Sequence, residues 1–198
     1  MEKISINLDN YSASKVYPSA LFLYGTYKDD GTPNFGLFTW FNYCWDSELA
    51  VMVCIGGEKL TKDRIRIGKV FSANLVTEPL LPLADYLGNT AGYVREKMDI
   101  PIEVERGAVL PVPILKNSPW IYELEVSQST PLNDGDVFIC KIRNILIAKE
   151  LADTSICEEE HIKTVLPVLW FGSGKYYSTN PVTLGNIGNW KKYDKEPV

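Results

Sequence analysis

Three apolar runs of strand length follow one another early in the chain, and only short turn sequences separate them. They cover residues 20–27, 35–43 and 49–55. Asp30-Gly31 lies in the first gap and Asp46-Ser47 in the second. Such turns join antiparallel strands because Gly adopts positive φ without a steric cost. The pattern therefore predicts an antiparallel meander rather than alternating strands and helices.

Helix signals occupy the middle of the chain. Thr61 is predicted to cap a short helix, with Gly68 just past its end, and a second helix is predicted over residues 78–87. A further short helix is predicted over residues 91–98. Residues 99–119 contain four prolines and are predicted to form an irregular connection.

The chain then returns to strand patterns. Strands are predicted over residues 121–126, 136–148 and 165–171, with Glu123 on the polar face of the first. Many hairpin-joined strands with few helices favour a mainly β, closed or nearly closed antiparallel barrel. We expect one domain over residues 1–198.

Composition excludes several classes of protein. A net charge of −5 argues against nucleic-acid binding, which needs a basic surface. No apolar run approaches the roughly 20 residues that cross a bilayer, so no membrane association is expected. Residues 1–10 lack the apolar segment of an export signal, which predicts a cytoplasmic protein with reduced cysteines. Without any Cys-x-x-Cys spacing, no metal site is expected.

Positive charge is concentrated just after the third run. Five basic residues lie between positions 59 and 69, against only Glu58 and Asp63 on the acidic side. Residues 57–61 can offer a phosphate backbone N–H groups, a hydroxyl and a cation. The alternative interpretation is a capped amphipathic helix whose basic face is exposed to solvent.

The order of these segments resembles the flavin reductase-like FMN-binding proteins, a split-barrel family that includes the flavoredoxins. The resemblance covers roughly the whole chain and implies an antiparallel, Greek-key-like split barrel with a few short helices. It also implies FMN as cofactor, with the phosphate near Lys59, Leu60, Thr61 and Asn74. By the same resemblance, the isoalloxazine would lie against Thr39, Trp40, Phe41 and Asn42.

A second segment carries the resemblance further. The family pattern Asp-Tyr-x-Gly-x-x-Ser-Gly-Arg followed by Lys is matched at Asp85, Tyr86, Gly88, Gly92 and Lys97. The sequence departs from it at Ala91 and Tyr93. Lys97 is thus a candidate to approach the flavin, the alternative being a solvated helix residue. The pair Tyr176-Tyr177 resembles an aromatic pair that reaches the flavin, and Tyr177 is the residue assigned to the site.

The resemblance implies an FMN-binding oxidoreductase, a flavin reductase that takes hydride from NADH or NADPH. The cofactor carries such chemistry, so no catalytic side chain is required. A homodimer is expected, in which each subunit covers the other's flavin. One alternative is a flavoredoxin-like electron carrier that serves a protein redox partner. Another is a barrel that binds a different phosphorylated ligand, or none, and has a structural role.

Overall fold

A computed structural model describes residues 3–5, 16–172, 174–179 and 181–182. Over these residues the chain forms twelve strands and three α-helices. Strands β1 to β12 are, in order, Ser19–Ala20, Phe22–Tyr27, Pro33–Phe38, Phe41–Trp45, Leu49–Gly56, Val70–Leu75, Val104–Arg106, Pro113–Leu115, Trp120–Leu132, Gly135–Ile147, Leu169–Trp170 and Tyr176–Tyr177. Helices α1 to α3 are Leu60–Gly68, Leu81–Asn89 and Glu158–Val165, and short 3₁₀ turns lie at Glu78–Leu80, Arg95–Met98 and Lys149–Ala152.

The central feature is a seven-stranded antiparallel sheet with the strand order β3-β2-β6-β9-β10-β5-β4. Strands β3 and β4 are consecutive in the chain but lie at opposite ends of this order. The sheet curls until its ends approach, since Phe41 of β4 stacks on Phe22 of β2 with ring centroids 4.2 Å apart. Thr39 and Trp40 therefore cross the gap between the two ends of the barrel.

Two apolar layers hold the barrel together, and strand β2 contributes to both. Phe22 and Tyr24 point into the barrel interior, where Phe71 and Phe138 are also buried. Leu23, and Leu21 just before β2, alternate with Phe22 and Tyr24 and point to the other face. They belong to a second layer beneath α2 that includes Phe35, Leu87 and Val168. Alternating side chains of a strand point to opposite faces, so a strand buried on both faces reads as a continuous apolar run.

The predicted turns at Asp30-Gly31 and Asp46-Ser47 are confirmed, but the second predicted strand is wrong as one element. Residues 35–43 contain the end of β3 and the beginning of β4, because the chain leaves one edge of the sheet after β3 and enters the other edge with β4. No Gly or Pro marks this break. The apolar pattern continues through it because both flanking segments are strands.

Four other predictions need correction. Residues 99–119 contain the small hairpin of β7 and β8 rather than only irregular structure. Residues 165–171 end α3 and then form only the short strand β11. Thr61 is not the cap of α1, because the helix begins at Leu60 and Lys59 occupies the cap position. The helix predicted over residues 91–98 is reduced to a single 3₁₀ turn.

Glu123 on β9 is fully buried, contrary to its prediction on a polar face. Its carboxylate accepts hydrogen bonds from the backbone N–H groups of Ala108, Val109 and Leu110 and from Asn144 Nδ2. Burial by itself would raise the pKa of Glu123, but these donors outweigh it and the pKa lies below its usual value. The carboxylate thus fastens the loop before β8 to the barrel.

None of the helices in the described residues is both long and apolar enough to span a membrane. The export-signal expectation concerns residues 1–10, which lie outside the described residues except for 3–5.

Candidate functional site

A cleft of about 400 Å³ opens where Thr39 and Trp40 cross between the barrel ends. We call it the apolar cleft; its lining residues are Leu21, Leu37, Phe38, Thr39, Trp40, Cys54, Gly56, Lys59, Trp170 and Tyr176. The Trp40 side chain is 51% exposed although it lies in an apolar segment. A flat aromatic wall beside a strand crossover can hold a planar ligand and still offer backbone groups to its edge.

A second cleft of about 160 Å³ adjoins the first. We call it the basic cleft; it is lined by Gly36, Leu37, Phe38, Glu58, Lys59, Leu60, Thr61, Leu87, Gly88, Asn89, Thr90, Ala91, Gly92, Tyr93 and Lys97. Leu37, Phe38 and Lys59 line both clefts. The two clefts therefore form one elongated site with an apolar end and a polar end.

The N-terminus of α1 faces the basic cleft. In the described residues, the backbone N–H groups of Leu60, Thr61 and Lys62 donate no hydrogen bond, and no side chain caps the helix at Lys59. The first N–H groups of a helix lack intrahelical acceptors and carry partial positive charge. They are available to an anion that lies between Lys59 and Thr61.

Thr61 lies in the first turn of α1 and its side chain is buried. Its Oγ1 atom accepts a hydrogen bond from Asn34 Nδ2 at 3.0 Å. Gly36 packs against the same hydroxyl, since a Cβ built at Gly36 would lie 3.0 Å from Thr61 Oγ1 and 2.9 Å from the Phe38 ring. The cleft therefore exists partly because position 36 has no side chain.

Lys97 places an ammonium group at the opposite wall of the basic cleft. Only 2% of the residue is exposed, and its side chain lines the basic cleft. Burial and, to a lesser extent, the nearby positive charges of Lys28 and Lys59 lower the pKa of Lys97 to about 8. Because burial disfavours the charged form, the ammonium is poised to gain from an anionic ligand in the cleft.

Other cations of α1 are occupied within the protein. The Lys62 ammonium donates to the Gly57 carbonyl, Arg64 pairs with Asp29 at 2.6 Å, and Arg66 pairs with Asp136 at 2.7 Å. The alternative of an exposed basic helix face describes Arg66, whose side chain is 47% exposed, but not Lys62 or Arg64, which are largely buried. Lys59 and Lys97 are the cations that line the basic cleft.

Of the pair Tyr176-Tyr177, Tyr176 reaches the site and Tyr177 does not. Tyr176 lines the apolar cleft, and its hydroxyl donates to Asp85 Oδ1 at 2.6 Å. Burial and this hydrogen bond raise the pKa of Tyr176 to about 12. Tyr177 packs edge-on against Phe171 and is not among the residues lining either cleft.

Three more predicted residues also lie away from the clefts. Phe41 is packed in the barrel interior on Phe22, and the side chain of Asn42 faces solvent outside the cleft linings. Asn74 is fully buried and donates to the Leu23 carbonyl and to Ser72, while its Oδ1 accepts from the Leu115 N–H group. Its amide joins three elements of the fold, so direct contact with a ligand is not supported.

Six lining residues of the apolar cleft were not predicted from the sequence: Leu21, Leu37, Phe38, Cys54, Gly56 and Trp170. Nothing distinguishes them locally from core residues, because each lies in or next to an apolar strand. Trp170 pairs with Tyr176 in the local hairpin of β11 and β12 and with Ser19 of β1, and the long-range pairing with β1 brings both to the cleft. Thr39, Trp40, Lys59, Leu60, Thr61 and Lys97 are the predicted residues that the structure does bring together.

Another cleft, of about 420 Å³, lies between the β7–β8 hairpin and strands β9 and β10. Its lysine, Lys116, pairs with Glu103, and its serine, Ser118, donates to the carbonyls of Leu75 and Trp120. These polar groups are already bonded within the protein. The elongated site is therefore the stronger candidate. Across the described ranges, no three His, Cys, Asp or Glu side chains converge in a metal-binding arrangement.

Comparisons with known proteins identify related sequences and folds. Residues 13–179 match the family described as "Flavin reductase like domain". No curated protein shows a significant match to the sequence. The match extends over all strands of the barrel and over every residue of both clefts.

Solved structures share the fold at low sequence identity. The flavoredoxin of Desulfovibrio vulgaris (Miyazaki F) is 20% identical with a TM-score of 0.81, covering 95% of this chain and 99% of its own. The FMN-binding protein of Thermus thermophilus with bound p-hydroxybenzaldehyde is 20% identical with a TM-score of 0.76, covering 94% and 100%. Nitrilotriacetate monooxygenase component B of Bacillus cereus is 14% identical with a TM-score of 0.80, covering 92% and 98%. The predicted split-barrel fold is confirmed.

Proposed function

The chain belongs to the flavin reductase-like domain family, and from this premise we propose that it binds FMN and acts as an oxidoreductase with NADH or NADPH as electron donor. One observation carries the proposal most directly. The buried side chain of Lys97 lines a cleft that the N-terminus of α1 also faces. Lys59 connects this cleft with an apolar one that has a tryptophan wall.

The basic cleft suits the phosphate of FMN. A phosphate dianion accepts several hydrogen bonds, and the cleft offers free N–H groups of α1, the Thr61 hydroxyl and the ammonium groups of Lys59 and Lys97. Its one acidic residue, Glu58, is exposed. The net attraction for an anion is therefore local and does not conflict with the acidic net charge of the chain.

The apolar cleft suits the isoalloxazine ring. Leu37 and Phe38 supply apolar surface, Trp40 supplies an aromatic wall, and the Thr39 hydroxyl lies at the crossover. When bound, FMN supplies the centre that takes up hydride, so the protein's part is to bind, orient and exclude water. Trp170 and Tyr176 cover the cleft from the C-terminal sheet, and the Tyr176–Asp85 hydrogen bond fixes that cover in place.

The test has two stages. FMN is first titrated into the flavin-free protein, with binding followed by flavin fluorescence and with riboflavin as the ligand that lacks the phosphate. The FMN-loaded protein is then mixed without oxygen with NADH and, separately, with NADPH while the visible absorbance is followed. We expect FMN to bind more tightly than riboflavin and its absorbance to bleach with one of the two donors.

Each other result favours a different function. Bound FMN that stays oxidised with both donors contradicts the reductase activity and favours an electron carrier with a protein redox partner. A protein that takes up no FMN contradicts the proposal entirely and favours a barrel for another phosphorylated ligand or a structural role.

We also propose that two copies associate through the hairpin of β4 and β5. Strand β4 ends the seven-stranded sheet, and the hairpin exposes Tyr43, Trp45, Leu49 and Met52, with Trp45 77% exposed. Exposed apolar side chains on an edge strand are typical of a covered interface. Sedimentation analysis should show a dimer that Trp45→Lys dissociates. A wild-type monomer at micromolar concentration would contradict this proposal.

A further inference from the structure

Asn34 is the buried polar residue that lies behind Thr61. It lies on β3 opposite Thr26 of β2 and is fully buried. Its Nδ2 atom donates to Thr61 Oγ1 at 3.0 Å and, at a longer distance of 3.5 Å, to Thr26 Oγ1. Both hydrogens of the amide nitrogen are therefore directed at threonine hydroxyls, and neither reaches the basic cleft directly.

This contact determines what the Thr61 hydroxyl can do. A hydroxyl has one hydrogen to donate and lone pairs that accept. Asn34 occupies a lone pair, and within the described part of the chain no acceptor takes the Thr61 hydrogen. Because Thr61 lines the basic cleft, that hydrogen is available to a ligand there. A phosphate dianion has only acceptor atoms and needs such a donor.

The surroundings keep the Asn34 amide in position. A Cβ built at Gly92 would lie 3.0 Å from Asn34 Oδ1 and 2.7 Å from Leu60 Cβ, so the loop before Lys97 packs closely over the amide. The amide oxygen has no hydrogen-bond partner among the described residues. The amide nitrogen of Asn34 therefore makes the hydrogen bonds of this side chain, and it donates both of them to threonine hydroxyls.

We propose that Asn34 is a positioning residue that holds the Thr61 hydroxyl as a hydrogen-bond donor toward a phosphate in the basic cleft. The inference rests on the proposed function and adds a residue that touches neither cleft. It predicts that Asn34 affects the binding of FMN but not of riboflavin. A residue with a purely structural role would affect both ligands alike.

The experiment is a double-mutant cycle with Asn34→Leu and Thr61→Val, read by flavin fluorescence with FMN and riboflavin. Leu is close to Asn in size but donates no hydrogen bond, and Val removes the hydroxyl with little change in shape. Thr61→Val should weaken FMN binding about 10-fold or more, as for a hydrogen bond to a charged group. Asn34→Leu should weaken it at least about threefold, because the hydroxyl then samples three staggered positions.

Coupling between the two substitutions decides the outcome. In the Thr61→Val background, Asn34→Leu should change FMN affinity less than about twofold, because there is no hydroxyl left to orient. Riboflavin affinity should stay unchanged throughout. Additive effects on FMN, or equal losses for both ligands, would overturn the positioning role while leaving FMN binding intact. A wild-type protein that binds no FMN would overturn this inference and the proposed function together.

A measurement on the wild-type protein covers the case in which Asn34→Leu does not fold. The side-chain ¹⁵N–¹H resonances of Asn34 are followed by NMR as FMN or riboflavin is added. A Thr61 hydroxyl that donates to a phosphate becomes a better acceptor, so FMN should shift the Asn34 resonances and riboflavin should not. Identical spectra with both ligands would overturn the proposal.

Discussion

Replacing Lys97 by Met removes a buried ammonium while it keeps most of the side chain's length and apolar contact. The pKa of Lys97 falls from the usual 10.5 to about 8, first because of burial and then because of Lys28 and Lys59. At about 1.4 kcal/mol for each tenfold change in proton affinity, this sets an upper limit of roughly 3 kcal/mol, because solvent in the cleft screens part of the effect. The flavin-free Lys97→Met protein should therefore be more stable than the wild type at pH 7 by up to that amount.

The difference in stability between the Lys97→Met protein and the wild type should depend on pH. Between pH 8 and 10.5 the unfolded chain keeps a proton on Lys97 that the folded protein has lost, so wild-type stability rises with pH over this window. The advantage of Lys97→Met should shrink from at most about 3 kcal/mol at pH 7 to at most about 1 kcal/mol at pH 9.5. Urea unfolding at both pH values measures it. Lys59→Met, at an exposed lysine of the same cleft, is the control and should leave stability nearly unchanged.

The same substitution, which should raise stability, should weaken the binding of FMN. Loss of the ammonium should weaken FMN binding by about 1.5–3 kcal/mol, the range for a hydrogen bond to a charged group, and leave riboflavin binding unchanged. A Lys97→Met protein that is less stable than the wild type would refute the cost assigned to burying the ammonium. One that is more stable but binds FMN as tightly would refute the contact with the phosphate.

Other expectations concern single side chains. Lys59→Ala should weaken FMN binding by about 1–3 kcal/mol in fluorescence titrations, whereas Lys69→Ala, at the other end of α1, should have no effect. Trp40→Ala should shift the visible spectrum of bound FMN, and an unshifted spectrum would leave Trp40 only a packing role. Glu123→Gln should lower the free energy of unfolding at pH 7 by about 1–3 kcal/mol, measured in urea. Because the folded-state pKa of Glu123 is lowered, the wild type should lose this advantage as the pH falls below 4.5 toward that pKa.

Local patterns in the sequence were sufficient for the hairpins and for the grouping of Lys59, Leu60 and Thr61 at the basic cleft. Turn residues mark the hairpins, and the free N–H groups, Lys59 and Thr61 lie close together in the chain. The crossing at Thr39 and Trp40 could not be predicted in this way. Whether a strand continues or changes edge depends on which strand pairs with it, and β4 pairs with the later strand β5.

Buried polar residues were the other class that the sequence did not reveal. Glu123 looked like a solvent-facing residue because its partners lie 13 to 21 positions away. Asn34 depends likewise on Thr61, 27 positions along the chain. Tyr176 and Tyr177 could not be ranked, because only the pairing with β11 decides which of them faces the cleft. Such residues are identified by their contacts, which a single sequence does not contain.

The environment of Lys97 also has a chemical consequence. With a pKa of about 8, roughly a tenth of its side chains carry a neutral amine at pH 7, against fewer than about one in a thousand for an ordinary lysine. Neutral amines are nucleophiles, so a small acylating or carbonyl reagent that bears a phosphate should label Lys97 ahead of the exposed lysines. The extent of that labelling would report directly whether the cleft is occupied.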